Sequence, residues 1–458
     1  MATTTSVIDY LEDTASRPKA AISRPPPSLV HAQPKSAEEL AKIMTSSREY
    51  PSPVRPVGSG SAVTRSNQSA SGTLVDMTCL DRVVAVRQNT VTVQAGVRLK
   101  DLAELLEQDG LELMGGCSDG NRTVGGAISS MTLGARLPGD GAQFASTVCQ
   151  ITLINGEGRK VEVSDKLPDL LTLMRMSQGL MGIIYTATLR IRPIRPYSIS
   201  TTKVAIDEFV ALIPNLLEAN AAVNASLMPF RDKVLVELRY PDEDGVAQKA
   251  LPRKLRGWAS QAMLPAVARS FVKALPAGSL RGSFVDTMVE ASHALGNLEE
   301  SGSNAAEQTG RFKALVLDEN AQNCAWFFTA RQFPAVIAAY RKMATGHYRS
   351  NRFRCDLPTE VWRVNQDQYS LLSPSFDSSG FMLNLKSNNT DGWDDFLLEF
   401  ADLAAHFKGV PSFNMTKGYK PGYASRVFGE RLVRFCTMRE RLDPKNRLVN
   451  QYFAEHLR

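Results

Sequence analysis

The stretch R-P-V-G-S-G-S-A-V-T-R-S-N, residues 55–67, decides how the first part of the chain is interpreted. Gly58 and Gly60 follow a short apolar run that predicts a strand, so the backbone bends directly after it. Small residues let several backbone N–H groups approach a phosphate, and residues 58–62 form such a run. Taken alone, a glycine pair of this kind is more typical of a tight turn between strands.

Two further glycine clusters lie within the first 190 residues, between Gly115 and Gly126 and at Gly179 and Gly182. Their spacing matches neither the dinucleotide fingerprint that opens a helix nor the P-loop with its lysine. Three clusters in one strand-rich region nevertheless favour a phosphate-binding site over three independent turns.

The surrounding pattern predicts the elements that would hold these loops. Ser36 is a good N-cap for a helix over 36–48, and an amphipathic helix over 98–110 stops at Gly110. Asn155 and Gly156 predict a hairpin turn, and the strand that follows the third cluster ends at Pro193. Glycine becomes rarer from about residue 197, which predicts a second domain.

Four pieces of the chain, in this order, resemble the FAD-binding domain of the vanillyl-alcohol oxidase superfamily. They are R-P-V-G-S-G-S-A-V-T-R-S-N, T-V-T-V-Q-A-G-V-R-L-K-D-L-A-E-L-L-E-Q-D-G-L-E-L, R-T-V-G-G-A-I-S-S-M-T-L-G-A-R-L-P and S-Q-G-L-M-G-I-I-Y-T-A-T-L-R-I-R-P. Within the superfamily the chain is most similar to aldonolactone and galactonolactone oxidoreductases and to decaprenylphosphoryl-ribose oxidase. The carboxyl-terminal R-E-R-L-D-P-K-N-R-L-V-N-Q-Y-F resembles the tail of the same group.

The resemblance implies an α+β fold. A two-subdomain PCMH-type FAD-binding domain would span 27–196, after a flexible arm at 1–26. A substrate domain with an antiparallel sheet would span 197–440, and 441–458 would pack back toward the FAD domain. The residues that the resemblance assigns to FAD are Gly58, Ser59, Gly60, Ser61, Ala62, Ser118, Thr123, Val124, Gly125, Gly126, Ser129, Ser130, Gly182, Ile184 and Phe413.

Ser61 stands where many members of the superfamily carry a histidine bonded covalently to the flavin. A serine hydroxyl does not form that bond, so we expect FAD to be held without a covalent link. Cys117 is the one cysteine near the second loop, and a small buried thiol is its simpler interpretation. Leu133 replaces the histidine of a Thr-His-Gly tripeptide. Ala95 resembles the residue found in dehydrogenases of the lactone group rather than in oxidases, although an ordinary strand alanine remains an equal alternative.

On the substrate side, the lactone group carries an E-x-R strand and a later H-W-x-K motif. The nearest match to the strand is S-N-R-F-R-C-D, which makes Arg352 and Arg354 candidates for substrate or anion binding. The later motif reads G-V-P-S-F-N-M-T-K, with Lys417 as the candidate flavin-facing cation. Solvent-exposed side chains remain the competing interpretation for all three.

Composition narrows the class of protein. The net charge of +6 over 458 residues does not indicate nucleic-acid binding, and the six scattered cysteines contain no C-x-x-C pair. The first residues lack the apolar core of a signal peptide, so we expect a cytoplasmic location. The basic and apolar stretch 253–281 is compatible with a membrane surface, but a solvated helical cap is favoured.

Three functions follow from this pattern. The first is an FAD-dependent oxidoreductase that takes hydride from an alcohol, lactol or amine carbon and passes electrons to oxygen or another acceptor. The second is a biosynthetic tailoring oxidase of a non-sugar substrate, which the altered substrate motifs favour. The third is a non-catalytic FAD-binding partner subunit.

Overall fold

The computed structural model describes residues 29–114, 117, 119–132, 134, 136–137, 139–195, 197–241, 283–284, 286–287, 301–302 and 322–457. The predicted arm at 1–26 and the basic stretch 253–281 therefore lie outside the described residues, as do Ser118 and Leu133.

The first described strands form a three-stranded parallel sheet. Strands β1 (Leu29–Ala32), β2 (Val54–Val57) and β3 (Gly72–Asp76) lie in the order β1-β3-β2. Helix α1 (Ala37–Thr45) makes the crossover that parallel strands require. Ser36 caps it as predicted, because its hydroxyl accepts a hydrogen bond of 3.2 Å from the amide of Glu39, although the helix ends before residue 48.

A second, antiparallel sheet completes the first domain. It contains β4 (Val83–Val86), β5 (Thr90–Gln94), β9 (Ile183–Pro193), β7 (Val148–Ile154) and β8 (Lys160–Ser164) in that order, with β6 (Leu111–Leu113) paired to β9. Its helices are α2 (Leu99–Gln108), α3 (Val124–Ser129) and α4 (Pro168–Met174). Gly110, with φ of +71°, follows α2 in the left-handed conformation expected of the residue after a helix end.

The second domain is an eight-stranded sheet of order β13-β10-β12-β11-β15-β16-β14-β17. The strands are β10 (Tyr197–Val204), β11 (Ala222–Met228), β12 (Lys233–Pro241), β13 (Ser301–Gly302), β14 (Gln322–Thr329), β15 (Thr359–Val364), β16 (Gly380–Ser387) and β17 (Val410–Pro411). Helices α5 (Ile206–Glu218), α6 (Phe333–Asn351) and α7 (Trp393–His406) share one apolar core with alternate sheet residues such as Val361 and Leu383.

The opposite face of this sheet packs against the first domain. Phe327, Trp362 and Met382 lie on that face, because side chains alternate along a strand and these three occupy one row of the register. They form a buried cluster with Met131 and Ala142 of the first domain. The eight-stranded sheet is thus covered by helices on one face and by the first domain on the other.

The chain ends with α8 (Tyr423–Phe428), α9 (Glu430–Leu442) and α10 (Gln451–His456). Arg447 binds the first domain by donating hydrogen bonds of 2.9 Å to the carbonyls of Ile43 and Tyr50. Gly156 is also explained by this approach, since a Cβ there would lie 2.3 Å from Oδ1 of Asp443. The turn between β7 and β8 takes its positive φ at Gly158 rather than at Gly156.

The observed architecture confirms the predicted α+β class with an antiparallel substrate-side sheet. Within the described parts of the chain, no helix has the length and apolar character needed to cross a bilayer.

Candidate functional site

A groove of about 740 Å³ lies in the first domain, where loops from all three glycine clusters meet. Most residues that the sequence assigned to FAD line it, together with Ala95. They are Gly58, Ser59, Gly60, Ser61, Ala62, Thr123, Gly125, Gly126, Ser129, Ser130, Gly182 and Ile184. The structure therefore brings into one site loops that are separated by more than a hundred residues in the sequence.

Glycine is required where these loops touch. A Cβ on Gly58 would lie 2.0 Å from Oγ1 of Thr123, and one on Gly125 would lie 2.8 Å from Cβ of Ala95. Gly60 differs, because a Cβ would meet nothing within 4 Å, but its φ is +71°. Two glycines thus permit close packing, and the third permits a left-handed turn.

Backbone amides of the first loop point to an anionic ligand. The amides of residues 59–62 find no acceptor in the part of the chain that the structure describes, whereas Val63 donates to the carbonyl of Asn414 at 3.0 Å. Thr123 caps α3 across the groove by accepting from the amide of Gly126 at 3.3 Å. Unpaired amides in a loop of small residues form a cradle of the kind that binds phosphate.

Two buried arginines add positive charge to this groove. Arg55 donates to the carbonyls of Gln178 and Leu448 at 2.6 and 2.8 Å. Arg122 donates to the carbonyl of Met131 at 2.7 Å and to the hydroxyl of Ser130 at 2.6 Å. Because these partners are uncharged oxygens, the guanidinium charges are not neutralised by them, and the groove fits the pyrophosphate of FAD.

The structure departs from the assigned set at two positions, and a third position is not described. Val124 is fully buried in the core rather than exposed to the groove. Phe413 stacks on Phe428 at 5.7 Å, and its neighbour Asn414 lines the groove instead. Ser118 lies outside the described residues. Sequence reasoning missed Arg55, Arg122 and Asn414, for which residue type alone carried no signal.

Cys117 is buried and its Sγ lies 3.5 Å from the carbonyl of Asp119. Burial raises the pKa of this thiol, which disfavours the reactive thiolate. This environment is in accord with a structural thiol.

The sheet face toward the first domain carries a group of polar side chains. The register aligns Ser226, Glu360 and Asn384 in one row across three strands. Adjacent rows place further polar residues on the same face. We call this set the polar face: Asn224, Ser226, Glu237, Arg239, Asn323, Glu360, Asn384 and Lys386.

Glu360 is the centre of the polar face and is almost fully buried. Lys386 forms an ion pair with its Oε1, while Asn384 Nδ2 and Trp362 Nε1 donate to Oε2 at 3.1 and 3.3 Å. These donors hold the carboxylate in one orientation. Within the described residues, the Oδ1 atoms of Asn224, Asn323 and Asn384 are buried and have no partner. Buried polar atoms are normally hydrogen-bonded, so this face is suited to receive a polar molecule.

The assignment of S-N-R-F-R-C-D to the E-x-R strand is wrong. Helix α6 ends at Asn351, and Arg352 is an exposed residue with φ of +59° that caps it. Nη2 of Arg354 donates to both carboxylate oxygens of Asp286 at 3.1 Å, and the guanidinium lies 4.2 Å from the ring centroid of Phe230. An acid does lie on the neighbouring strand β15, where Glu360 is followed two residues later by Trp362.

Lys417 does not reach the polar face. Its Nζ donates to Oε1 of Gln322 at 3.2 Å, and its amide donates to Sγ of Cys324 at 3.4 Å. These residues alternate with Asn323 along β14, so they belong to the helix-covered side of the sheet. Lys386 is the lysine that the described structure places on the polar face, and a catalytic role for Lys417 stays a prediction.

Comparison with known families gives two matches. The profile described as "FAD binding domain" matches residues 28–164, and the profile described as "D-arabinono-1,4-lactone oxidase" matches residues 187–456. Together they confirm the resemblance to lactone oxidoreductases and FAD as the cofactor.

Individual relatives agree with these families. L-galactono-1,4-lactone dehydrogenase of Arabidopsis thaliana is 30% identical over 209 residues, which cover 44% of this chain and 33% of that protein. D-arabinono-1,4-lactone oxidase of Yarrowia lipolytica is 28% identical, over 46% of this chain and 40% of that protein. The matched regions therefore span well under half of either relative.

Among solved structures, cholesterol oxidase from B. sterolicum superposes with a TM-score of 0.72 at 15% identity. The superposition covers 93% of this chain and 94% of that one. At this identity the likeness establishes the fold alone.

Proposed function

Because the chain belongs to the D-arabinono-1,4-lactone oxidase family, we propose that it is an FAD-dependent oxidoreductase that oxidises a hydroxyl-bearing carbon of a small molecule. The observation that carries this proposal is the buried carboxylate of Glu360 on the polar face, which faces the FAD-binding domain. When bound, FAD supplies the acceptor of a hydride at flavin N5.

Glu360 is the group that receives the hydroxyl proton of the substrate in this proposal. Its Oε1 faces Lys386 and its Oε2 accepts from Asn384 and Trp362, so the carboxylate is fixed before a substrate arrives. A fixed base loses little freedom on binding and keeps its lone pairs directed at the reacting hydroxyl.

The remaining polar-face residues bind and orient the substrate. The unpartnered Oδ1 atoms of Asn224, Asn323 and Asn384 accept hydrogen bonds from hydroxyl groups. Beside them, Trp362 and Met382 form an apolar wall with Met131 of the first domain. This wall excludes water from the carboxylate.

The experiment is anaerobic reduction of the bound flavin. L-galactono-1,4-lactone, D-arabinono-1,4-lactone, simple alcohols and amino compounds are mixed with the FAD-loaded protein, and the absorbance of oxidised flavin is followed. Bleaching by a hydroxyl compound supports the proposal. Bleaching by amino compounds alone contradicts the hydroxyl assignment, and a flavin that no compound bleaches favours a non-catalytic FAD-binding subunit.

We further infer that FAD is bound without a covalent link. Ser61 lines the groove at the position that the resemblance equates with the flavin-linked histidine. Precipitation with acid would release free FAD into the supernatant. A yellow pellet contradicts this part of the proposal and would mean that another nucleophile near the groove is bonded to the flavin.

A tailoring oxidase of a non-sugar substrate is the second candidate. Trp362 favours it, because an indole stands two residues after Glu360 where the lactone motif has an arginine. An apolar ring beside the base suits a substrate with an apolar or planar group. A kcat/KM for aromatic or allylic alcohols above that for both lactones would establish this alternative.

The electron acceptor and the cellular location also belong to this proposal. Ala95 lines the groove and is buried, with its amide bonded to the carbonyl of Tyr185 at 2.9 Å. Slow reoxidation of reduced flavin in air would support a dehydrogenase, and rapid reoxidation an oxidase. A cytoplasmic location stays a prediction that cell fractionation tests.

A further inference from the structure

Arg55 joins three separated segments at the end of the FAD groove. It is the second residue of β2, three positions before Gly58, and it is only 2% exposed. Its guanidinium donates to the carbonyls of Gln178 and Gly179, at 2.6 and 3.4 Å, which both line the groove. It also donates at 2.8 Å to the carbonyl of Leu448, near the end of the chain.

The C-terminal segment, residues 443–457, contacts the same guanidinium. Arg55 lies 5.1 Å from the ring centroid of Phe453, a cation–π distance. Asn450 donates to the carbonyls of Arg65 and Gln68 at 3.0 and 2.7 Å, just beyond the first glycine loop. The segment therefore touches the groove through Arg55 on one side of that loop and through Asn450 on the other.

The charge of the guanidinium is compensated only in part, because the Asp443 carboxylate favours it electrostatically but accepts no hydrogen bond from it in the described structure. Its hydrogen-bond partners are backbone carbonyls, and its Nε is buried with no partner among the described residues. Burial lowers the pKa of Arg55 to about 9, which reflects the cost of keeping this cation away from water. A bound pyrophosphate would bring negative charge to the groove that Arg55 lines, and so favour the cation.

We propose that Arg55 is a positioning residue that couples docking of the C-terminal segment to FAD binding. The negative charge of FAD would hold the guanidinium in its position beside the groove, and the guanidinium in that position holds Leu448 and Phe453. Because binding free energies are reciprocal, a docked segment must in turn favour FAD by the same factor. The proposal rests on FAD binding in the groove but not on substrate oxidation.

The test combines FAD affinity with hydrogen exchange in the full-length protein. We expect FAD to slow amide exchange of residues 443–457 in the wild type at least tenfold. Arg55→Met should weaken FAD binding at least tenfold and remove that protection, and Arg55→Lys should recover part of both. These measurements use no substrate, so a failed oxidation assay has no bearing on their outcome.

Arg363 provides the matched control. It is a buried arginine that donates to backbone carbonyls, including those of Leu216 and Ala219 at 3.0 and 2.7 Å, but it lies in the second domain. We expect Arg363→Met to lower Tm while the FAD dissociation constant stays within twofold. Two results overturn the proposal: wild-type exchange in residues 443–457 that FAD does not change, or an Arg55→Lys variant that binds FAD normally yet lacks the protection.

Discussion

The FAD groove and the polar face are built in different ways. The groove consists of loop backbone, and its glycines are required wherever two loops meet, as at Gly58 against Thr123. The polar face consists of side chains on five strands, and Ser226, Glu360 and Asn384 are brought into one row by pairing register alone. A site made of loop backbone can be predicted from the sequence, because its glycines mark it. A site made of side chains on several strands can be predicted only when the pairing register of those strands is known.

Glu360→Gln tests the polar face, and we expect it to have the largest effect of the variants considered. The substitution keeps the shape of the side chain but removes its ability to take a proton. We expect the anaerobic rate of flavin reduction to fall by about a thousandfold, within the range for loss of a general base. FAD content should be unchanged, since Glu360 does not line the groove.

Glu112→Gln is the control for removing a buried carboxylate. Glu112 pairs with Arg192 at 2.7 Å in the first domain, away from the polar face. We expect a lower Tm but a flavin-reduction rate within threefold of the wild type. Equal losses in both variants would mean that Glu360 acts through stability rather than through chemistry.

Gly58→Ala tests the groove itself. Because its Cβ would lie 2.0 Å from Thr123 Oγ1, the two loops must separate, and we expect FAD to bind about a hundredfold more weakly. Gly60→Ala is the matched variant, with open space for the methyl group but a left-handed φ of +71°. It should cost about tenfold at most. Titration of apoprotein with FAD measures both, and the reverse order would show that loop conformation matters more than loop contact.

These two regions also explain which sequence predictions succeeded. The glycine loops, the helix after Ser36 and the strand ending at Pro193 follow from local residue types, and all are observed. The error at Arg352 and Arg354 arose because an R-x-R pattern resembles a strand, whereas here it follows a helix end. Phe413 was assigned to FAD, but the residue that lines the groove is its neighbour Asn414. A local sequence pattern does not distinguish two adjacent residues in this way.

Lys386→Met and Lys417→Met compare the lysine found on the polar face with the one predicted from the motif. Lys386 contacts the Glu360 carboxylate, while Lys417 contacts Gln322 on the other side of the sheet. We expect kcat/KM to fall about tenfold for Lys386→Met and less than threefold for Lys417→Met. A larger loss for Lys417→Met would restore it as the candidate cation and would require β14 to pair differently.

Asp367→Asn tests the interface between the two domains, and we expect it to have the smallest effect. Asp367 is fully buried and accepts a hydrogen bond of 3.2 Å from Ser146 of the first domain. Burial raises the pKa of this carboxyl above its unfolded value. The stability it contributes is therefore fully present below about pH 4 and is lost as pH rises through the folded pKa. Asparagine does not ionise, so we expect the variant to have a Tm about 1–2 °C higher at pH 8 and no advantage near pH 4.

The charge of Asp367 acts on two nearby arginines, Arg136 and Arg175, and partly offsets the lowering of the pKa of each by burial. A variant that is less stable at pH 8 would mean that these arginines keep the carboxylate ionised. The interface between the domains would then be stabilised by charge rather than by neutral hydrogen bonds.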